Sequence, residues 1–211
     1  VAARTSGAPS DADGVTLFLV DPGAPGVARE RTVMVDAHNA ARIELRDVAV
    51  GADAVLGTVG AGRAVLDATP DAGRAALASE MVGASEEAFA RTTQYLKDRK
   101  QFGKYIGEFQ ALQHRAAHLY CELELTRSAV IRAQQLLDAG ADGAPRAVSI
   151  AKARAGTSAT LAVQEGVQMH GGIGMTDEFE IGFFMKRVRV AQELLGDASF
   201  HADRLARLAK Y

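Results

Sequence analysis

The sequence QMHGGIG at residues 168–174 ends one long helical pattern, and DRKQFG at residues 98–103 ends another. Each stretch offers what a nucleotide diphosphate needs: a cation or an amide side chain, next to glycines that let backbone N–H groups approach an oxygen. A Gly-Gly-x-Gly turn alone usually has no ligand, so neither stretch is specific by itself. Both stretches adjoin long helical patterns, and their meaning depends on what they resemble when taken together.

The composition excludes several classes of protein. The chain has 211 residues, and its 24 basic and 26 acidic side chains give a net charge of −2, which does not suggest a nucleic-acid partner. A hydrophobic content of 48% is enough to build a core. No apolar run reaches membrane-spanning length, and no charged-then-apolar signal peptide opens the chain.

Cysteine usage indicates a reducing compartment. Cys121 is the only cysteine, so no intrachain disulfide can form, and a cytoplasmic location is expected. Its place in a helical pattern predicts a small buried side chain. The chain also begins at Val1, inside an apparent strand, and we therefore expect it to be a piece of a longer protein.

The first 57 residues have the pattern of a β-domain. Strands are predicted over Val15–Val20, Arg31–Val35 and Ala41–Leu45, where β-branched or alternating apolar residues occur. The Gly/Pro/Asp-rich stretch Ser6–Gly14 predicts a hairpin loop. Three or four strands leave sheet edges open, so this half-sheet needs partners.

From Thr69 the apolar spacing becomes helical. Thr69, Pro70 and Asp71 supply an N-cap, a first-turn proline and an acid near the positive helix end. A second helix is predicted over residues 107–138, where apolar residues recur at three- and four-residue spacing. A third helix, rich in small residues, is predicted from Arg146 to Gln168.

The end of the chain predicts two further elements. The D-x-x-E sequence at residues 177–180 is typical of a capping box and predicts that a fourth element begins there. The last helix is predicted to contain residues 194–195 and to end near Tyr211. The fold class is therefore mostly α: an antiparallel four-helix-type bundle in residues 58–211, preceded by a partial antiparallel β-domain in residues 1–57.

With Gln110 in the Phe109-Gln110 pair, the two glycine-containing stretches resemble the C-terminal domain of acyl-CoA dehydrogenases. The resemblance spans nearly the whole chain, from the end of a middle β-domain through the helical bundle. It implies FAD as cofactor, with this chain holding the pyrophosphate and adenosine of a flavin bound mainly by a neighbouring subunit. The residues that match the family's cofactor contacts are Arg99, Gln101, Phe102, Gln110, Gln168, Gly171 and Gly172.

Arg99 and the glycine turn also have simpler explanations. An arginine at a helix end often caps carbonyls or stays solvated, and glycines often only terminate a helix. The functional alternative uses the planar guanidinium of Arg99 to bind a phosphate and the unpaired N–H groups of Gly171 and Gly172 to approach it. His170 is interpreted as a hydrogen-bonded structural residue, because no carboxylate or nucleophile pattern surrounds it.

The resemblance implies further contacts near both ends of the bundle sequence. Asp71 and Arg74 match a segment where family members contact the CoA, although Asp71 could equally be a helix-end acid, and Arg74 near a positive helix end favours an acid or anion partner. Gly196 matches a substrate-contacting position. Asp197 replaces a cofactor-contacting threonine, with Ser199 beside it. No metal site is predicted.

The family's catalytic base has no counterpart in this sequence. Desaturation of an acyl thioester needs a carboxylate that removes the α-proton, and family members place a glutamate at one of two positions. Leu195 and Gly73 stand at these positions, and neither can accept a proton, so no catalytic residue is assigned. The carboxylates of Asp71, Glu193 and Asp197 each lie two residues away, and on a helix that offset turns a side chain by about 200°.

Four functions remain open from the sequence. The first is an FAD-dependent acyl-CoA dehydrogenase whose proton acceptor lies elsewhere, working on an acyl-CoA with an electron-transfer flavoprotein-type acceptor as a homo- or hetero-oligomer, a dimer or a tetramer. The second is a base-less, non-catalytic subunit that completes a partner's flavin site. The third is another flavin enzyme of the same fold, an oxidase or monooxygenase. The fourth is a helical interaction module.

Overall fold

Residues 1–70 form the first of two units in the computed structural model, which describes all 211 residues. Its strands are β1 (Ala2–Arg4), β2 (Val15–Phe18), β3 (Val27–Val33), β4 (Asn39–Leu45) and β5 (Val55–Leu56). β1, β2 and β5 form an antiparallel sheet in that order, and β3 pairs with β4 in an antiparallel ribbon that sets Val27 opposite Leu45. The predicted strands are present, but the one predicted over Arg31–Val35 is observed as Val27–Val33, and the strands form two sheets instead of a single half-sheet.

The loop between β1 and β2 is the predicted hairpin loop. Arg4 organises it, because its guanidinium donates to the carbonyls of Asp11 and Asp13, each at 2.8 Å. Thr16 is fully buried, and its hydroxyl oxygen accepts from the Gly60 N–H at 2.8 Å. On the second ribbon, by contrast, the side chains of Val33 and Ile43 are exposed, which agrees with the expectation that this half-sheet needs partners.

The rest of the chain is helical. The helices are α1 (Arg63–Asp98), α2 (Gln110–Asp138), α3 (Ala144–His170), α4 (Ile181–Glu193) and α5 (Ala198–Leu208), with a small hairpin of β6 (Lys100–Gln101) and β7 (Lys104–Tyr105) after α1. The mostly helical fold class is confirmed, and the predicted second helix is continuous. The predicted domain boundary after residue 57 lies in the connection between β5 and α1, and the domain assignment stays a prediction.

Small residues dominate the core of the second unit, Asp71–Tyr211. Ala151, Ala155 and Ala159 of α3 pack with alanines of α1 and with larger residues of the other helices. Because alanine side chains are short, α3 can lie close to its neighbours. Larger side chains, such as Met81 and Ile181, fill the remaining space.

The predicted start of the first helix is wrong. α1 begins at Arg63, and Pro70 lies inside it rather than in its first turn. An Arg63–Asp67 ion pair spans this first turn with an Nε–Oδ2 distance of 2.8 Å, and the Thr69 hydroxyl donates to the Val65 carbonyl at 2.7 Å. Pro70 cannot donate to the Leu66 carbonyl, but Leu66 is exposed, so solvent can satisfy that carbonyl.

The predicted capping box at residues 177–180 is also wrong. α4 begins only at Ile181, and Glu180 stands at the N-cap without a capping hydrogen bond from its side chain. The reason is a competing partner, because the Glu180 carboxylate pairs with Arg91 of α1. The Glu180 side chain in the turn between α3 and α4 therefore contacts α1 instead of capping α4.

Two other predictions near the helices need correction. The last helix does not contain residues 194–195, because α4 ends at Glu193 and α5 begins at Ala198. Cys121 is exposed rather than buried, since it lies on the outer face of α2 beside exposed Tyr120. None of the helices is both long enough and apolar enough to span a membrane.

Candidate functional site

A small apolar cluster joins the two glycine-containing stretches. Leu96 near the end of α1, Ile106 in the turn before α2, and Met169 near the end of α3 are buried against one another. The end of α1, the start of α2 and the end of α3 therefore meet at one end of the bundle. The structure thus brings together Arg99, Gln101, Phe102, Gln110, Gln168, Gly171 and Gly172 at this end.

The β6–β7 hairpin carries two of these residues, Gln101 and Phe102. Phe102 and Gly103 form its turn with φ of +54° and +78°. A phenylalanine rarely adopts a left-handed backbone, and the Phe102 side chain is 91% exposed. Unfavourable backbone and an uncovered aromatic ring at the same residue are typical of a contact surface.

The guanidinium of Arg99 is not paired with any group of this chain. The backbone N–H of Arg99 donates to Tyr95 and its carbonyl accepts from Ile106, at 2.9 and 2.8 Å. Its guanidinium is exposed and makes no hydrogen bond or ion pair within the chain. The simpler alternative, capping of helix carbonyls, is therefore not how this side chain is used, whereas solvation remains compatible with its exposure.

The end of α3 presents open backbone. Gly171 has φ of +66°, and a Cβ placed on Gly171 or Gly172 would meet nothing within 4 Å. The expectation of an unpaired N–H is wrong for Gly171, because its N–H donates to the Gln168 carbonyl and caps α3. Gln168 and both glycines are exposed. A free guanidinium, exposed amide side chains and an unobstructed glycine backbone at one end of the bundle fit the diphosphate of FAD.

His170 has the contacts of a structural residue. Its Nδ1 donates to the Gly166 carbonyl at 2.6 Å, and its ring lies 4.4 Å from the Tyr95 ring and 4.5 Å from the Phe179 ring, between centroids. Burial lowers the pKa of His170. A neutral, stacked imidazole that bonds its own helix supports the structural interpretation made from the sequence.

A polar groove of about 460 Å³ extends the surface along α3. Asp197 and Ser199 line it together with Gln164, which lies four residues before Gln168, or about 6 Å along the helix axis. The groove therefore begins one helical turn from the glycine end. The full lining is Gly156, Thr157, Thr160, Leu161, Gln164, Gln192, Glu193, Asp197, Ala198 and Ser199.

The connection between α4 and α5 is a sharp corner, residues 194–197. Leu195 has φ of +59° and Gly196 has φ of +106°. A Cβ on Gly196 would lie 2.2 Å from Phe200 Cδ1, so glycine is required there. Asp197 then caps α5, because its Oδ1 accepts from the Phe200 N–H at 2.7 Å. Leu195 and Asp197 do not share a helix. The rotation of about 200° that two residues give on a helix therefore does not describe how their side chains are oriented.

Gly73 and Leu195, the two positions at which a family base is expected, lie next to each other. A Cβ placed on Gly73 would lie 2.7 Å from Leu195 Cδ1. Gly73 lies inside α1 and has no positive φ, so its obstacle to substitution is the end of the Leu195 side chain. The Leu195 side chain therefore fills the space that a carboxylate at either position would occupy.

The three nearby carboxylates are engaged elsewhere. Asp197 caps α5, and the Glu193 carboxylate pairs with Arg189. Asp71 is 5% exposed, and its two oxygens accept from Arg74 Nη1 and Arg204 Nη2, each at 2.7 Å. The predicted helix-end role of Asp71 is wrong because Asp71 lies well inside α1, while its predicted contact with substrate stays a prediction.

Arg74 finds the acid partner that its position favours. Besides Asp71, its guanidinium binds the corner, because Nε donates to the Leu195 carbonyl at 3.0 Å. Arg204 links the same carboxylate to α3 through the Ser149 hydroxyl oxygen at 2.8 Å. The two ion pairs of Asp71 and the hydrogen bond to Ser149 connect α1, α3 and α5 beside the corner.

Two titratable residues lie beneath the corner. Lys152 is 1% exposed, and its Nζ donates to the carbonyls of Gln192 and Gly196, each at 2.9 Å. Burial lowers the pKa of Lys152 to about 8. His201 is fully buried with both ring nitrogens unpaired, and burial, helped by nearby Lys152 and arginine side chains, lowers the pKa of His201 to about 4.

His201 makes the fold sensitive to acid. The unfolded chain protonates the imidazole at its ordinary pKa of 6.5, whereas the folded protein does so only at about 4. Between these values the unfolded state binds more protons, so stability present above pH 6.5 is lost as the pH falls through 4. At about 1.4 kcal/mol per pKa unit, the loss is on the order of 3 kcal/mol.

We expect His201→Phe to flatten this part of the pH profile. Denaturant unfolding measured at several pH values should show a smaller loss of unfolding free energy over the acid range than in the parent. His118→Phe is the matched control, because His118 is exposed on α2. Equal acid profiles for His201→Phe and the parent would contradict this assignment.

The sequence did not single out Lys152, His201 or Arg204. A signal for Lys152 was available, because its helical neighbours at three- and four-residue spacing are small or apolar, including Ser149 and Gly156. A lysine on such a face is buried and must have partners. The pattern could not identify those partners, since they are backbone carbonyls of the corner.

Comparisons with known proteins agree with this architecture. A family model described as acyl-CoA dehydrogenase, C-terminal domain, matches residues 60–209. The mitochondrial short/branched chain specific acyl-CoA dehydrogenase of Rattus norvegicus is 31% identical over 202 residues, which cover 94% of this chain and 46% of the relative. The chain thus spans about half the length of this relative.

Solved structures match over nearly the whole chain. An acyl-CoA dehydrogenase from Geobacillus kaustophilus superposes with a TM-score of 0.92 at 30% identity, covering 100% of this chain and 56% of that one. Butyryl-CoA dehydrogenase from Megasphaera elsdenii superposes with a TM-score of 0.90 at 26% identity, covering 98% and 55%. With the family model matching most of its residues, the chain belongs to the acyl-CoA dehydrogenase family.

Proposed function

We propose that the chain is part of an FAD-dependent acyl-CoA dehydrogenase, or of a subunit of one. The observation that carries the proposal is the free Arg99 guanidinium at the same bundle end as Gln168 and the open backbone of Gly171 and Gly172. The names of the relatives support an acyl-CoA thioester as the substrate, since they include short/branched chain specific and butyryl-CoA dehydrogenases.

Each residue at this bundle end has a distinct role in the proposal. Arg99 pairs with a phosphate through charge-assisted hydrogen bonds, and the amides of Gln101, Gln110 and Gln168 bind neighbouring polar groups. The glycine turn has no side chains, so its backbone lets the diphosphate approach closely. Phe102 covers an apolar part of the cofactor or of the subunit that holds it.

The groove along α3 extends this contact surface. Asp197 and Ser199 line it and supply polar contacts to the remainder of the cofactor. Asp71, Arg74 and Gly196 contribute to the substrate side of the site. When bound, FAD supplies a two-electron acceptor for the hydride that leaves the β-carbon of the acyl chain.

The proposal includes an assembly. A site held from one chain on a flavin bound mainly by another requires a homo- or hetero-oligomer, a dimer or a tetramer. Electrons then pass to an electron-transfer flavoprotein-type acceptor. A cytoplasmic location is part of the same proposal, consistent with a single cysteine.

Arg99→Ala should weaken flavin binding in the intact protein. A charge-assisted pair with phosphate contributes about 1.5–3 kcal/mol, so the affinity for FAD should fall by roughly one to two orders of magnitude. Arg132→Ala is the control, because Arg132 is an exposed arginine of α2 without an ion pair and lies far from Gln110. The measurement is FAD affinity by titration of the apoprotein, and an unchanged affinity in Arg99→Ala would count decisively against the assignment.

A second candidate function is a base-less subunit that completes the flavin site of a catalytic partner. The observation that favours it is the contact between Gly73 and Leu195, with the nearby carboxylates of Asp71, Glu193 and Asp197 all engaged. Neither usual position then offers a proton acceptor. In this case the site is catalytic only in a hetero-oligomer whose partner carries the base.

One experiment separates the two candidates. The intact protein is expressed alone, and acyl-CoA-dependent bleaching of its flavin absorbance is measured. Bleaching at a normal dehydrogenase rate supports the self-sufficient enzyme, whereas bleaching only after a second dehydrogenase-like chain is co-expressed supports the base-less subunit. Oxygen consumption with peroxide formation would instead indicate an oxidase of the same fold.

A further inference from the structure

The backbone of the corner at residues 194–197 is held by two cations from other helices. Lys152 of α3 binds the carbonyls of Gln192 and Gly196, each at 2.9 Å, and Arg74 of α1 binds the carbonyl of Leu195 at 3.0 Å. The carbonyls at the end of a helix have no partner within that helix. Lys152 therefore supplies a donor on each side of Leu195.

The corner needs such a hold. Leu195 has a left-handed backbone, which is unfavourable for a residue with a β-carbon. Gly196 follows with a conformation that only glycine accepts readily. The N–H groups of Leu194 and Gly196 bond locally to the carbonyls of Val190 and Glu193. The carbonyls of Gln192, Leu195 and Gly196 receive donors from other helices.

Burial of Lys152 indicates a specific role for its amine. Its side chain is 1% exposed, in a helix whose other buried residues are mostly alanine, valine, serine and glycine. Burying an amine in such surroundings is unfavourable unless its hydrogen-bonding groups are used. Both carbonyls that accept hydrogen bonds from the Lys152 amine belong to the corner region and not to α3 itself.

The corner presents the residues that the proposed function needs. Leu195 points its Cδ1 at the position of a Gly73 side chain, and Asp197 and Ser199 line the groove along α3. We propose that Lys152 is a positioning residue, whose two hydrogen bonds fix the corner so that these three residues keep their directions. The identity of what they contact rests on the proposed function, whereas the hold on the corner does not.

The groups around Lys152 set its protonation, so the stability of the corner should depend on pH. Glu193 and Asp197 favour its charged form, Arg74 opposes it, and His201 faces it from α5. Burial dominates and lowers the pKa of Lys152 from 10.5 to about 8. An opened corner that exposes the amine would take up protons in this range, so raising the pH from about 8 favours the closed corner.

Amide hydrogen exchange on the intact protein tests the hold directly. In Lys152→Met, exchange in residues 192–199 should become about tenfold faster or more, because hydrogen bonds to a buried amine are lost. Residues 119–133 of α2 serve as an internal reference and should not change. Arg146→Met is the control variant, because Arg146 is exposed on α3 and its side chain makes no hydrogen bond or ion pair with the corner or with α2.

The parent protein provides the second measurement if Lys152→Met does not fold. After correction for base catalysis of exchange, protection of residues 192–199 relative to α2 should rise about threefold or more from about pH 8 to about pH 9. Lys152→Arg, which stays charged, should show no such rise. Unchanged exchange in a folded Lys152→Met, or a parent corner whose relative protection does not rise, would overturn the proposal.

The same experiment is independent of the proposed function. The exchange experiment is run without acyl-CoA and measures only the amide exchange rates of residues 192–199. Absence of flavin binding by the intact protein would overturn the proposed function and leave the exchange result unaffected.

Discussion

Leu195→Glu should raise acyl-CoA-dependent flavin reduction by about 10²–10⁴-fold, the usual contribution of a correctly placed general base. The structure gives three reasons to place the new carboxylate at residue 195. Leu195 already reaches the position of a Gly73 side chain, so a glutamate there would enter the space shared by both base positions. Its backbone is held by Arg74 and is not required to move. Leu195 is also partly exposed, so the new carboxylate is not fully buried.

Leu195→Gln is the matched control, because it has nearly the same shape as glutamate and cannot accept the proton. The measurement is the rate of flavin bleaching by acyl-CoA in the parent and both variants, with the fold checked by circular dichroism. A glutamate variant no faster than the glutamine variant would contradict the prediction. If the parent already reduces its flavin at a normal dehydrogenase rate, the base-less interpretation is wrong, and Asp71, Glu193 or Asp197 is the next residue to substitute.

Gly73→Glu is a weaker test of the same idea. Gly73 does not have a positive φ, so its backbone conformation does not oppose a side chain. The obstacle is Leu195 Cδ1, the flexible end of a side chain. A glutamate at residue 73 must first displace Leu195, so its effect on rate should be smaller than that of Leu195→Glu.

Periodicity predicted the helices well where the whole element follows one pattern. α2 was predicted over residues 107–138 and is observed as Gln110–Asp138, because regular apolar spacing and a following glycine both mark it. The prediction failed where a tertiary contact replaced a local signal. Thr69-Pro70 has the chemistry of a helix start, but an exposed proline is tolerated inside α1. The capping box before α4 failed because Arg91 takes the carboxylate of Glu180.

The corner could not be predicted from local sequence. Leucine disfavours a left-handed backbone, so Leu194–Leu195 has the pattern of a continuing helix. Its conformation comes instead from donors on Arg74 and Lys152, which are distant in sequence. The candidate site shows the same division. Its exposed residues Arg99 and Gln168 were identifiable from local motifs, whereas the buried groups that shape it were not.

Asp71→Ala should be the most destabilising single substitution considered for this bundle. Asp71 is buried, and its carboxylate is shared by Arg74 and Arg204, whose side chains are only 12% and 19% exposed. Removing the carboxylate leaves two partly buried guanidinium groups without their counter-charge. Breaking a buried pair in this way typically lowers the unfolding free energy by about 3–5 kcal/mol.

Asp67→Ala is the matched control for this prediction. It removes an aspartate of the same helix, but Asp67 forms an exposed pair with Arg63, so little or no change in stability is expected. Asp71→Asn should fall between the two, because the amide keeps one acceptor and loses the charge. The measurement is denaturant unfolding of the intact protein at fixed concentration. If Asp71→Ala is no less stable than Asp67→Ala, the ion-pair role fails, and the alternative contact of Asp71 with the CoA becomes the explanation to test by CoA affinity.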